Sequence, residues 1–225
     1  MMFDARAEHT FYTAAPATAA TAAELDALAA DVRLWVPDPE QVFRGRRVLD
    51  VGAGTAPLGA LLASRFGAAS VVSVELVFER LRAARPWVSR APALRLVCGD
   101  VFSLPLASGA FDLVVANSVL HHFPELDRAL GEIVRVLRPG GRYIGREPNF
   151  DNPLVRFGVF TRLGNRIFGC EHSANEYPLR PGAIVSAFRN RGCSCSLRFF
   201  WRRLRRLRHP VAGVAMSVTA ERRSS

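Results

Sequence analysis

The 225-residue chain suits one compact domain with appendages, and 49% apolar residues are enough to bury a sizeable core. Its net charge of +10 comes from Arg alone, because the sequence contains no Lys, and this excludes a phosphate-binding P-loop lysine, a Schiff-base lysine and other lysine chemistry. No apolar stretch reaches the roughly 18 to 20 residues that cross a bilayer, and no signal-peptide pattern opens the chain, which predicts a cytoplasmic protein.

The positive charge is concentrated in the last third of the chain. Residues 142–225 hold sixteen Arg and five acidic residues. The densest part is the Arg-rich segment 198–209, where Arg alternates with Phe, Trp and Leu. Two interpretations stay open for this segment, a solvated loop between strands and a peripheral contact with an anionic membrane. An Arg-only, Ala-rich composition weakens the argument from charge for nucleic acid, so we do not expect a nucleic-acid partner.

The first predicted element is a helix that begins after Thr21 and runs to about Trp35. Thr21 and Glu24 have the spacing of a capping box, and Pro37 follows the helix and stops it. We assign this helix to an N-terminal helical arm, residues 1–45. Residues 46–225 then form the main domain, because the sequence pattern changes there.

From residue 46 onward, short β-rich runs alternate with helical segments, which predicts βαβ units and a parallel sheet. The five runs are 48–51, 70–75, 94–98, 111–116 and 141–147. The helices between them are predicted at 57–66, from 76 to about 84, and at 126–137. Continuous apolar strands need cover on both faces, so the predicted fold class is α/β with a doubly wound sheet.

The chain is less regular after the fifth run. A helix near 153–168 lies within a long loop, 149–180, and a further helix is predicted at 181–190. Two runs follow at 195–201 and 214–221. We predict that these two strands are antiparallel, because no crossover helix separates them.

A Gly-rich turn and an acidic residue suggest a nucleotide cofactor. Asp50, Gly52 and Gly54 lie at the end of the first run, where glycine lets the backbone approach a cofactor closely. The turn alone is weak evidence for a nucleotide site, since residues 52–57 read Gly-Ala-Gly-Thr-Ala-Pro and the third glycine of the dinucleotide fingerprint is replaced. Glu75 ends the second run 21 residues after Gly54, where a carboxylate can accept hydrogen bonds from both ribose hydroxyls.

A third feature separates nucleotide families. Asp100 and Val101 end the third run, where a carboxylate and a backbone N–H can read an adenine ring. With this segment the chain resembles the class I S-adenosylmethionine-dependent methyltransferases over about residues 46–149. The motifs that carry the resemblance are VLDVGAGTA, VVSVE, CGDVFSLPL, FDLVVANSVLHHF and LGEIVRVLRPGG, in the family's order.

The resemblance implies a fold, a cofactor and an acceptor. It implies a Rossmann-like, mostly parallel seven-stranded sheet with an antiparallel last strand, in agreement with the predicted runs. It implies S-adenosylmethionine as the cofactor, and the segment 99–141 is particularly similar to small-molecule methyltransferases, including quinone C-methyltransferases. The cofactor-binding residues that we predict are Asp50, Gly52, Gly54, Glu75, Asp100, Val101 and Asn117.

Candidate catalytic residues follow strands four and five, because ligands of open α/β sheets bind beyond the carboxyl ends of the strands. His121 and His122 follow the fourth strand, and Glu147 follows the fifth. An acceptor with a high pKa needs a general base, most often His or a carboxylate. The alternatives are that the His pair shapes the pocket or caps the next helix, and that Glu147 contacts the cofactor or ends its strand.

His172 and Tyr177 lie in the loop 149–180, which is either a lid over the acceptor site or an ordinary surface loop. The pairs Cys170 with His172 and Cys193 with Cys195 do not have the spacing of zinc ligands, so we expect no metal site. Too few cysteines are present for a disulfide framework.

Three alternative functions stay open. A nicotinamide-dependent oxidoreductase could use the same Gly-rich turn. A nucleic-acid methyltransferase is disfavoured, because Ser-Val-Leu follows Asn117 where amino methyltransferases place prolines and an aromatic residue. A non-catalytic membrane-surface protein could retain the fold and use the Arg-rich segment. The sequence does not indicate an oligomeric state.

Overall fold

The computed structural model describes Thr10, Thr13, residues 17–161, Leu163, Arg166, residues 176–200 and residues 214–224. The strands are β1 (Arg47–Val51), β2 (Ser70–Glu75), β3 (Leu94–Cys98), β4 (Phe111–Asn117), β5 (Leu137–Pro148), β6 (Cys193–Phe200) and β7 (Ala215–Arg222). The helices are α1 (Ala22–Trp35), α2 (Pro39–Phe43), α3 (Pro57–Ser64), α4 (Phe78–Arg90), α5 (Leu126–Val136), α6 (Pro153–Phe160) and α7 (Pro181–Arg189). Short 3₁₀ turns lie at Val101–Ser103 and Leu120–His122.

The seven strands form one sheet in the order β3-β2-β1-β4-β5-β7-β6. Strands β1 to β5 pair in parallel, whereas β7 is antiparallel to both β5 and β6. This topology confirms the predicted doubly wound α/β fold. The chain reverses its direction of strand addition between β1 and β4, and the carboxyl ends of such strands border the ligand crevice in open α/β sheets.

Helices cover both faces of the sheet, as the apolar strands predict. Neighbouring residues of β1 face opposite sides, since Val48 lies in a hydrophobic cluster with α1 and α3 and Leu49 lies in a cluster with α5 and α7. The Thr21–Glu24 capping box is present. Helix α1 buries Leu25, Ala29, Val32 and Trp35 in the first of these clusters. The arm therefore contributes to the core, and the boundary at residue 45 stays a prediction.

The structure differs from the predicted elements in three places. Helix α4 does not end near Ala84 but continues through Pro86, because Trp87 packs against the core beyond it and offsets the roughly 3 kcal/mol that proline costs inside a helix. Strand β5 begins at Leu137, and its RPGG residues form an irregular bulge where the register with β4 shifts between Phe111 and Leu113. Helix α2 was not predicted. Helix α6 spans Pro153–Phe160, and most of the remaining stretch predicted as helical, up to about residue 168, lies outside the described residues.

Replacing Gly59 by Ala is expected to destabilise the fold. A Cβ atom at Gly59 would lie 2.1 Å from the Ser73 hydroxyl and 3.1 Å from a methyl group of Leu94, where α3 packs against the sheet. Such overpacking lowers the free energy of unfolding by about 1–3 kcal/mol. The matched control is Gly182→Ala in α7, where nothing lies within 4 Å of the added atom. Urea unfolding of both variants measures the difference, and equal midpoints would contradict the prediction.

Candidate active site

One pocket lies at the carboxyl ends of β1, β2 and β4, around a cavity of about 310 Å³. A volume of this order suits a small cofactor. All seven residues predicted to bind the cofactor line this pocket, as does His122. The structure therefore brings together positions that span 67 residues of sequence, from Asp50 to Asn117. Their role as cofactor contacts stays a prediction.

The Gly-rich turn between β1 and α3 uses backbone that favours glycine. Gly52 has φ +65° and Gly54 has φ +57°. A Cβ atom at Gly52 would approach Val119 to 2.6 Å, so only glycine leaves this wall of the pocket undisturbed. Ala56 is also left-handed, with φ +53°, and carries a methyl group where the usual motif has glycine. A non-glycine residue in that conformation costs roughly 1–2 kcal/mol.

The Glu75 carboxylate connects the Gly-rich turn to the end of β2 through hydrogen bonds. Its Oε2 atom accepts the Gly54 N–H at 2.8 Å, and its Oε1 atom accepts the Val77 N–H at 3.0 Å. Each carboxylate oxygen keeps a second lone pair that can accept a hydroxyl hydrogen. Asp100 is exposed and caps the next 3₁₀ turn, with Oδ1 accepting the Phe102 N–H at 2.9 Å. Both carboxylates can therefore serve a ligand without losing their structural contacts.

Asp50 lies at the floor of the pocket and is buried. Its Oδ2 atom accepts the Ser73 hydroxyl at 2.9 Å. Burial raises the pKa of this carboxyl to about 7, and hydrogen bonds from Ser73 and from the Gly59 N–H oppose that increase. Asp50 is therefore part of the β1–β2–α3 packing as well as of the pocket wall.

The variant Asp50→Asn is expected to change how stability depends on pH. The folded chain keeps the Asp50 proton up to about pH 7, whereas an unfolded chain releases it near pH 4. The free energy of unfolding of the native chain therefore falls between these pH values, by up to about 4 kcal/mol, because ionisation is favoured in the unfolded state. The variant lacks this loss. Urea unfolding of the native chain and of the variant from pH 4 to pH 8 measures this decrease in the free energy of unfolding. Parallel pH profiles of the two chains would contradict the prediction.

Asn117 is linked to helix α1 through Arg146, a residue that the sequence analysis did not identify as part of the site. An Arg146 Nη1–H donates to Asn117 Oδ1 at 3.2 Å and to Ser118 Oγ at 3.2 Å. The Arg146 Nε atom lies 3.8 Å from Asp31 Oδ2 in α1. Ser118 is held in a left-handed conformation, with φ +59°. This end of β4 is thus shaped by two distant parts of the chain.

His121 and Glu147 form a buried pair beside the pocket. The His121 Nδ1 atom is 2.7 Å from Glu147 Oε2, and the Glu147 side chain is fully buried. Glu147 Oε1 accepts the N–H groups of Val119 and Leu120 at 3.1 and 2.9 Å. Glu147 therefore does not simply end its strand. It orients the imidazole and holds the backbone that leads to it.

Glu176, which the sequence did not single out, faces both histidines from the segment before α7. Its Oε2 atom is 3.4 Å from His121 Nε2, and its Oε1 atom is 3.9 Å from His122 Nε2. The neighbouring Tyr177 N–H donates to the His121 carbonyl at 2.8 Å. The two imidazole rings lie 4.2 Å apart. The loop 149–180 thus reaches the candidate catalytic residues in the part that the structure describes.

Several predicted features lie outside the described residues. They are Cys170, His172 and residues 201–209 of the Arg-rich segment. The described pocket wall also contains Arg80, which α4 places there and no motif indicated. It contains Ser118 and Val119 as well, which lie within the FDLVVANSVLHHF motif but were not among the predicted contacts. No helix in the described ranges is long and apolar enough to cross a membrane.

Comparison with known proteins matches part of the chain to a known domain family. Residues 49–145 match the family model described as a methyltransferase domain. A malonyl-[acyl-carrier protein] O-methyltransferase of Methylococcus capsulatus is 38% identical over 117 residues, which are 52% of this chain and 40% of that protein. A demethylmenaquinone methyltransferase of Thermus thermophilus is 36% identical over 100 residues, 44% of this chain and 46% of that protein. The match thus spans less than half the length of these curated relatives.

Solved structures show the same fold at low sequence identity. An S-adenosylmethionine-dependent methyltransferase of Mesorhizobium loti has a TM-score of 0.65 and 17% identity, and the alignment covers 86% of this chain and 100% of that one. The [4+2]-cyclase SpnF has a TM-score of 0.66 and 21% identity over 88% of this chain and 82% of that one. Residues 49–145 therefore match a methyltransferase domain, and the fold of the chain is one that S-adenosylmethionine-dependent methyltransferases have.

Proposed function

We propose that the chain transfers a methyl group from S-adenosylmethionine to a small-molecule acceptor by in-line displacement. The cofactor supplies an electrophilic methyl group when it is bound. The observation that carries the proposal is the pair of sites at one sheet edge, a nucleoside-sized pocket and a buried His121–Glu147 pair beside it. The activity of a fold is set by its site, as a cyclase on the same fold illustrates.

The charges of the pocket support a cationic cofactor. The described lining contains the carboxylates of Glu75 and Asp100 and the guanidinium of Arg80, together with Asp50, whose pKa burial raises to about 7. An acidic lining favours a sulfonium and ammonium compound over a dinucleotide, whose pyrophosphate needs donors at the helix N-terminus. Pro57 occupies the first turn of α3 and offers no N–H there. Both observations oppose the oxidoreductase alternative.

The geometry of His121 supports a role as general base. In the neutral tautomer with hydrogen on Nδ1, Glu147 accepts that hydrogen bond, and the lone pair of Nε2 lies on the opposite side of the ring, facing Glu176 at 3.4 Å. A base held in this way can remove a proton from an acceptor O–H, N–H or C–H group as its nucleophile attacks. His122 lines the cofactor pocket and contacts His121, so it is proposed to orient the acceptor.

Calorimetric titration tests the cofactor assignment. The full chain is titrated with S-adenosylmethionine and, separately, with NADH. We expect binding of S-adenosylmethionine and none of NADH, whereas binding of NADH alone would refute the proposal. Incubation with methyl-labelled S-adenosylmethionine and an extract of the native host then identifies the acceptor. Label in nucleic acid rather than in a small molecule would contradict the acceptor class.

The acceptor class is proposed from the relatives and from the site. One relative is named for malonyl-[acyl-carrier protein] and another for demethylmenaquinone, so a small or carrier-linked acceptor is proposed here. The residues that would select it lie in 1–45 and 149–225, outside the matched domain.

A cytoplasmic location with peripheral membrane contact through segment 198–209 is a further part of this proposal. It is supported by the Arg and aromatic composition of that segment. Co-sedimentation with acidic liposomes in moderate salt tests it, and absence of pelleting would count against it.

A further inference from the structure

We propose that His121, His122 and Glu176 form a binding site for one divalent transition-metal ion of the Zn²⁺ class. The three side chains come from the β4–α5 connection and from the segment before α7. Their ligand atoms all lie within 4.8 Å of one another. This site departs from the expectation of no metal, which rested on the cysteine pairs and did not include Glu176.

The buried carboxylate behind His121 prepares that residue as a ligand. Glu147 Oε2 lies 2.7 Å from Nδ1, and Oε1 is engaged by two backbone N–H groups. A carboxylate in this setting acts as acceptor, so Nδ1 carries the hydrogen and Nε2 presents its lone pair. Histidines that bind metals commonly donate their other N–H to a carboxylate in this way.

The contact between His121 Nε2 and Glu176 favours the binding of a cation. The Nε2 atom and Glu176 Oε2 are 3.4 Å apart. In the neutral tautomer with hydrogen on Nδ1 they present electron pairs to each other, whereas a proton or a metal cation on Nε2 makes the contact attractive. His122 Nε2 faces the second oxygen of the same carboxylate at 3.9 Å. The three side chains are between 6% and 13% exposed, so little water screens this repulsion. A positive ion between the three groups would be stabilised by all of them.

The donor set and spacing indicate the class of metal. Two imidazole nitrogens and one carboxylate suit Zn²⁺, Co²⁺ or Ni²⁺, whereas Ca²⁺ and Mg²⁺ take six or more oxygen ligands. A tetrahedron with metal–ligand bonds of about 2.0–2.1 Å has edges of about 3.3 Å. The observed separations of 3.4 and 3.9 Å involve different oxygens of Glu176, and with all three ligand atoms within 4.8 Å of one another the side chains must move closer to reach that edge. The three ligands found among the described residues leave a fourth position of the tetrahedron for water or another group.

Metal binding would have one consequence for catalysis, and only this consequence rests on the proposed function. A metal on His121 Nε2 takes the lone pair that the proposed base uses. Metal and proton transfer therefore compete for the same atom. We expect Zn²⁺ to inhibit methyl transfer and a chelator to restore it.

The site is tested by metal binding to the full chain, without cofactor or acceptor. Chelator-treated protein is titrated with Zn²⁺ by calorimetry and with Co²⁺ by visible absorption. We expect one equivalent and the spectrum of a tetrahedral Co²⁺ site without thiolate bands. The variants His122→Ala and Glu176→Gln are expected to bind at least about tenfold more weakly, as even outer contacts of metal sites have effects of 10- to 100-fold.

Matched variants separate this site from other sources of affinity. Glu125→Gln removes an exposed carboxylate near the same connection and should leave binding unchanged. A variant with all four cysteines replaced by Ser should also bind normally. Circular dichroism confirms that each variant is folded. Binding that survives both ligand substitutions, or that is lost only with the cysteines, would overturn the proposal. Failure of methyl transfer leaves this test intact, because binding is measured without it.

Discussion

Replacing His121 by Asn is expected to lower the rate of methyl transfer by about 10²–10⁴-fold, the usual contribution of a positioned general base. S-adenosylmethionine should bind with nearly unchanged affinity, because His121 is not among the residues that line the cofactor cavity. Single-turnover transfer to the identified acceptor measures the rate, and calorimetry measures the affinity. Loss of rate with retained affinity separates catalysis from cofactor binding.

Glu147→Gln provides the second half of this test. A glutamine has one oxygen and cannot accept from His121 and from both backbone N–H groups as the carboxylate does. The rate should fall while the chain stays folded. The matched control is Glu132→Gln, a partly buried carboxylate that accepts the Leu104 N–H and pairs with Arg135 away from His121. If both Gln variants transferred methyl groups at the native rate, the role of the His121–Glu147 pair would be structural only.

The second large effect is expected for Gly52→Ala. The added methyl group would lie 2.6 Å from Val119 in backbone with φ +65°. Overpacking costs about 1–3 kcal/mol and left-handed backbone about 1–2 kcal/mol, so the free energy of unfolding should fall by about 2–5 kcal/mol. The wall of the pocket shifts with Val119, and we expect affinity for S-adenosylmethionine to fall by about 100-fold, which corresponds to a loss of about 2.7 kcal/mol in binding free energy. Urea unfolding and calorimetry measure the two effects.

The variant Gly54→Ala separates the effect of backbone strain from the effect of a steric clash with Val119. Its φ of +57° imposes a similar conformational cost, but the added atom would meet only the end of the flexible Arg80 side chain, at 2.9 Å. The free energy of unfolding should therefore fall less than in Gly52→Ala. Equal losses in the two variants would show that Val119 moves aside freely and that the steric argument is wrong.

Local signals determined much of the fold and of the cofactor pocket. The alternation of apolar strands and helices, the Gly-rich turn and the acidic strand end are all short-range patterns. Parallel strands bring their carboxyl ends to one edge, so residues at those ends were predicted to converge, and Asp50, Glu75 and Asn117 do line one cavity. The same reasoning placed His121 and Glu147 near each other, and the structure shows them in contact.

Only the tertiary structure decided the features that depend on contacts between distant segments. Glu176 lies in an irregular loop without periodicity, and its approach to His121 follows from how that loop packs before α7. Arg146 joins α1 to β4, which no local pattern encodes. Helix α4 passes Pro86 because burial of Trp87 outweighs a local penalty. Sequence periodicity reports the faces of single elements, whereas these contacts depend on the packing of several elements at once.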